Sequence, residues 1–116
     1  MAWQLTVRAG PRVRRASFDD LQCALDELEA RGRELQSSAS GDAVDVKFKR
    51  FEAQQRVIAR LELAGPQRFV PSVRAGIDVR GDGSIEAYHG RTRRAIIPER
   101  GNEDAYAVLR RSLSQR

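Results

Sequence analysis

Arginine beside an aromatic ring is the pairing in this sequence with the most chemistry to offer. Arg91, Arg93 and Arg94 follow Tyr88 and His89 across Gly90. Guanidiniums donate forked hydrogen bonds to phosphate oxygens, and a tyrosine ring offers a base a face to stack on. The same residues also suit a solvated edge strand, whose charge discourages pairing with another sheet. Arg12, Arg14 and Arg15 form a second cluster with the same two readings, and they are expected in a loop.

Other reactive side chains stand alone. His89 is the single histidine, and Cys23 is the single cysteine. One histidine without a nucleophile or ligand cluster supports neither a metal site nor a hydrolytic triad. His89 shares the phase of Ile85 and Ala87, so it is expected to point inward as a hydrogen-bonded structural residue. Cys23 sits among Asp20, Asp26 and Glu27, whose charge disfavours the thiolate, so a structural role is expected. Asp78, Asp82 and Glu86 resemble a carboxylate group for acid–base work. Asp82 belongs to a turn, however, and the other two have arginine neighbours to answer. Gly81 and Gly83 lack the Lys-Ser/Thr or the following helix of a phosphate loop. No catalytic, cofactor or metal site is expected, and the chain is read as a non-enzyme.

The elements that must position these residues are legible from periodicity. Trp3, Leu5, Val7 and Ala9 alternate with polar residues, as a half-buried strand does, and Gly10-Pro11 ends it. Ser17 looks like a helix cap with Asp20 in the capping-box position. Phe18, Leu21, Leu25, Leu28, Gly32 and Leu35 follow the spacing of one apolar stripe, which predicts a helix from about Phe18 to Leu35. Ser37–Gly41 reads as a loop. Val44–Lys49 and Val57–Leu63 alternate and are expected to form an antiparallel hairpin. Val73–Val79 and Ile85–His89 form a second hairpin about Asp82-Gly83. Gly90 suggests a bulge, after which strand resumes over Arg91–Ile97 until Pro98 stops it. Asn102 is the expected cap of a last helix, with Ala105, Val108, Leu109 and Ser112 on its apolar face and Tyr106 and Leu113 widening it.

The order β-α-β-β-β-β-α predicts a single α+β domain over residues 1–116. Its architecture is a two-layer sandwich, an antiparallel sheet of four to five strands with two helices on one face. From the first helix onward the order is similar to that of double-stranded-RNA-binding domains. That module docks phosphates with lysines opening its second helix, whereas Asn102-Glu103-Asp104 opens this one, and the chain is not assigned to that family.

Charge is sorted along the chain. Residues 1–16 carry four arginines and no acid, and residues 17–43 carry seven acids against Arg31 and Arg33. From Val44 onward fifteen basic residues face nine acids. An acidic helix on one flank and basic strands on the other would favour a polyanion on the basic side. The expected function is therefore a non-catalytic module binding an anionic partner, foremost nucleic acid, through the open sheet face. Lys47, Lys49, Arg56, Arg60, Arg74, Tyr88, Arg91, Arg93 and Arg94 would make the contacts. The alternative is a self-assembling or adaptor protein, such as a homodimer closed over that face with Phe51 and Ile58 buried. A lone cysteine, the absence of a signal-like start and the lack of a long apolar run point to a cytoplasmic protein with no membrane partner.

Overall fold

In the computed structural model of the protein, residues 2–41, 56–65, 74–90 and 95–114 are described. Their strands are β1 (Trp3–Ala9), β2 (Arg12–Phe18), β3 (Val57–Ala64), β4 (Arg74–Arg80), β5 (Ile85–His89) and β6 (Ala95–Ile96). The helices are α1 (Leu21–Gly41) and α2 (Ala105–Ser114). The strands form one sheet in the order β2-β1-β3-β4-β5-β6, antiparallel at every junction. The α+β architecture is the expected one, with a wider sheet.

Strand register sorts the side chains into two faces. On one face Leu5 aligns with Leu63 and Ala75, Val7 with Leu61, Ile77 and Ala87, and Ala9 with Ala59 and Val79. These rows pack against Ala24, Leu25 and Leu28 of α1 and against Ala105, Val108, Leu109 and Leu113 of α2. Leu61, Ile77, Val79, Val108 and Leu109 are fully buried there, at about 1.5–3 kcal/mol of transfer free energy per large side chain. None of the described helices is long and apolar enough to cross a membrane.

The expected boundaries shift in four places. Ser17 and Phe18 pair with Gln4 and Trp3 as the end of β2, so Ser17 caps nothing. The cap of α1 is Asp20, whose carboxylate accepts from the Gln22 amide at 3.3 Å and whose carbonyl accepts from Ala24. Arg12, Arg14 and Arg15, expected in a loop, belong to β2, because Gly10-Pro11 turns the chain back on β1 and the ladder outweighs the preference of arginines for solvent. Helix α1 runs through Ser37 and Ser38 to Gly41, where a loop was expected. Gln36 braces it by accepting from the Tyr106 hydroxyl at 2.6 Å and donating to the Gly83 carbonyl at 2.9 Å. Asp104, not Asn102, caps α2, accepting from the Ala107 amide at 2.8 Å. The strand expected over Val44–Lys49 lies outside the described residues. Its expected partner β3 pairs instead with β1 and β4.

On the other face, which neither described helix covers, Glu62, Gly76 and Tyr88 are successive residues of one row. Tyr88 crosses over Gly76, and its hydroxyl donates to Glu62 Oε1 at 2.9 Å. A Cβ at position 76 would meet the Leu61 carbonyl, Glu62 Cα at 2.9 Å and Tyr88 Oη at 2.9 Å. Two of those neighbours are backbone and cannot swing aside. Gly76→Ala is therefore expected to lower stability by about 1–3 kcal/mol, read as a lower urea midpoint at unchanged slope. A wild-type midpoint would show that the row has room to spare.

Candidate anion-binding interface

The expected contact residues part company in three dimensions. On the open face Arg60 stands directly opposite Asp78, with guanidinium nitrogens at 2.6 and 3.1 Å from its two carboxylate oxygens. Arg74 donates diagonally to Glu62 at 3.1 Å, and Arg80 reaches Glu86 at 2.7 Å. Directly opposed and diagonal cross-strand neighbours meet in this way because they share a face of the pleat. The Asp78 hydrogen bond raises the Arg60 guanidinium further above its ordinary value. These arginines are already held by carboxylates, so among the described residues the middle of this face is a lattice of ion pairs and not a surplus of positive charge.

Tyr88 does not offer its ring to a ligand. It is 2% exposed, with its hydroxyl on Glu62 and the Arg60 guanidinium 5.5 Å from its ring centroid. Burial, followed by the Glu62 charge, pushes its phenol well above the ordinary value. Lys47, Lys49, Phe51, Arg91, Arg93 and Arg94 lie outside the described residues. Ile58, expected to close a homodimer, is half-buried against the core. His89 keeps the phase of Ala87 but is exposed, because it lies at the end of β5 beyond the helix cover.

The acidic helix is answered as well. Arg31 bridges Glu27 at 2.8 Å and Glu34 at 3.3 Å, and Arg33 holds Glu29 at 2.9 Å. From α2, Arg110 reaches Asp26 at 2.7 Å and Glu29 at 3.4 Å. Arg111 holds Glu103 at 3.0 Å, and that hydrogen bond keeps the Glu103 carboxyl below its usual range. Cys23 is exposed and donates to Asp20 at 3.6 Å, which raises its thiol pKa and leaves it a poor nucleophile. Of the carboxylates that resembled an acid–base group, Asp78 and Glu86 hold arginines. Asp82 closes the β4–β5 turn by accepting from Ser84, which lowers its pKa.

What remains is at the other end of the sheet. Among the described residues, Arg8, Arg12, Arg14, Arg15, Arg56 and Arg100 have no carboxylate within ion-pair distance. All but Arg100 gather at the β1–β2 hairpin and the start of β3. Arg8 is left over for a specific reason: its cross-strand partner is Arg60, and Asp78 lies on the far side of β3. Arg8, Gly10, Arg56 and Arg60 line a shallow hollow of about 540 Å³.

Arg12 and Arg14 fall on the helix side of β2, in the rows of Ala9 and Val7. Burying those guanidiniums under a helix would cost more than it gains, and they stay exposed beside α1, which packs on both β1 and β2. A groove runs between the helix and these strands. One part, about 340 Å³, is lined by Leu5, Val7, Ala16 and Phe18 with Arg14 and Arg31; the next, about 260 Å³, by Val7, Ala9 and Leu35 with Arg12 and Glu34. The sequence signal for this site was the acid-free run of residues 1–16. Reading Arg12, Arg14 and Arg15 as a loop hid the groove, because only a paired β2 places Arg12 and Arg14 beside Ala16 and Phe18.

The two tyrosines make the burial measurable. Tyr106, beneath Arg33 at 4.8 Å, is pushed up to about 12 by burial, and Tyr88 goes higher. Both lie above the ordinary value of 10.0. An alkaline titration of the folded protein is expected to show almost no phenolate absorbance at pH 10, where free tyrosine is half ionised. Raised phenol values mean that the unfolded chain loses its protons first. This part of the stability is therefore complete below pH 10 and is lost as pH climbs above it. Substantial phenolate signal at pH 10 would contradict the Tyr88–Glu62 geometry.

Compared with known proteins, the chain matches no family model, no curated protein and no solved structure, so its functional reading rests on its own residues.

Proposed function

We propose that the protein is a non-catalytic binding module that holds an anionic partner at the β1–β2 hairpin. The observation that carries this reading is the separation of paired from unpaired arginines. Guanidiniums across the middle of the sheet are occupied by Asp78, Glu62 and Glu86, whereas Arg8, Arg12, Arg14, Arg15 and Arg56 are exposed and have no ion-pair partner among the described residues. Free guanidiniums bind an anion without first breaking an internal pair. A partner on the open face would have to displace half-buried acids from their bases. Nucleic acid supplies one such partner, through its phosphates and with weak dependence on base sequence. Homodimerisation over the open face has less support, because that face presents ion pairs and not an apolar surface.

Labelled short DNA, short RNA and poly-glutamate, titrated against the protein at low and high salt, test the reading. At least one is expected to bind, with affinity falling as salt rises. Arg14→Glu with Arg15→Glu is expected to weaken that binding by about tenfold or more, and Arg100→Glu to leave it unchanged. Melting of the variants at the parent's temperature establishes that their fold is intact. The reading fails if no polyanion binds, or if the hairpin variant binds as the parent does.

A further inference from the structure

The β1–β2 hairpin is more than a charged surface, because the outer edge of β2 is unpaired among the described residues. β2 is the terminal strand, hydrogen-bonded only to β1 among the described residues, and its pairing with β1 runs without a register shift over all seven residues. Arg12 to Ser17 are all exposed. Alternate residues of such a strand turn their N–H and C=O groups away from the sheet, and these can accept one more strand.

Side chains along this edge divide by character. Arg12 and Arg14 on the helix side and Arg15 on the open side make the first part of β2 cationic on both faces. Towards the end of the strand, Ala16 and Phe18 face the groove with Leu5, and Ser17 faces the open side. A strand laid beside β2 would place residues next to three guanidiniums that lack carboxylates. Further along, it would place residues next to an apolar trough of side-chain size.

We infer that the β2 edge takes an extended segment of a polypeptide partner as an additional strand, a segment carboxylate-rich beside Arg12–Arg15 and apolar beside Ala16 and Phe18. This rests on the reading that the hairpin arginines hold an anionic partner, and it names the partner's class. Two features favour a polypeptide over nucleic acid. The backbone edge offers a ladder of donors and acceptors that only another strand matches, and the groove beside the arginines is lined mainly by aliphatic and aromatic carbon. A second copy of this chain is a poor occupant. Full-length antiparallel pairing of two β2 strands sets Arg15 opposite its own copy and brings two acid-free arginine clusters together.

The experiment uses peptides the length of β2, glutamate in one half and valine and leucine in the other, made in both chain orders. Each is compared with two forms that are N-methylated at alternate residues, one form on each edge. One chain order is expected to bind in a salt-sensitive manner and to protect β2 amides from hydrogen exchange. N-methylation of the edge that faces β2 is expected to weaken binding by about tenfold or more, and of the opposite edge to leave it unchanged. Equal binding of both methylated forms would overturn strand addition while leaving the anionic-partner reading intact. Strand addition alone is likewise overturned if short DNA binds at the hairpin arginines and the peptides do not. If neither peptides nor nucleic acids bind, both readings fall.

Discussion

Cross-strand pairing of opposite charges on the open face decides which arginines are left for anything else. Glu62 lies at its centre, accepting from Arg74 at 3.1 Å and from the Tyr88 hydroxyl at 2.9 Å, while Arg60 turns to Asp78 and lies over the Tyr88 ring. Individually, such partly exposed pairs contribute roughly 0–1 kcal/mol. Their larger effect is on register and on charge distribution. A slip of one residue between β3 and β4 would set Arg60 against a residue of the opposite face, and Gly76 would no longer leave a gap for the Tyr88 ring.

Because the described middle of the sheet is neutralised internally, unpaired positive charge is not spread evenly over the described residues. It gathers where the strands carry bases and no acids, at the β1–β2 hairpin. Arg12 and Arg14 occupy the helix-side positions of β2 and stay exposed there, so the cationic strand borders the apolar groove. An arginine-rich edge resists accidental pairing with neutral or basic strands while remaining open to an acidic one, which gives the edge selectivity as well as protection.

Much of this was legible in residue order. The alternation of Trp3–Ala9, the stripe Leu21, Leu25, Leu28 and the turn at Asp82-Gly83 follow from side-chain periodicity and backbone preference, which are local properties. The interleaving of Glu62 and Asp78 with Arg60 and Arg74 was visible too, as was the presence of arginine at positions 12, 14 and 15. Boundaries were less legible: Ser17 has the look of a helix cap, yet its ladder with Gln4 makes it a strand residue, and Asp20 caps instead.

The sequence by itself determined an α+β chain with acid-free arginines at its start and mixed charges along its later strands. Tertiary structure alone decided which of those charges meet. Pairing depends on register between strands distant in sequence, so only the folded sheet could set Arg60 on Asp78, lay Tyr88 across Gly76, and leave Arg8, Arg12, Arg14 and Arg15 without an ion-pair partner among the described residues.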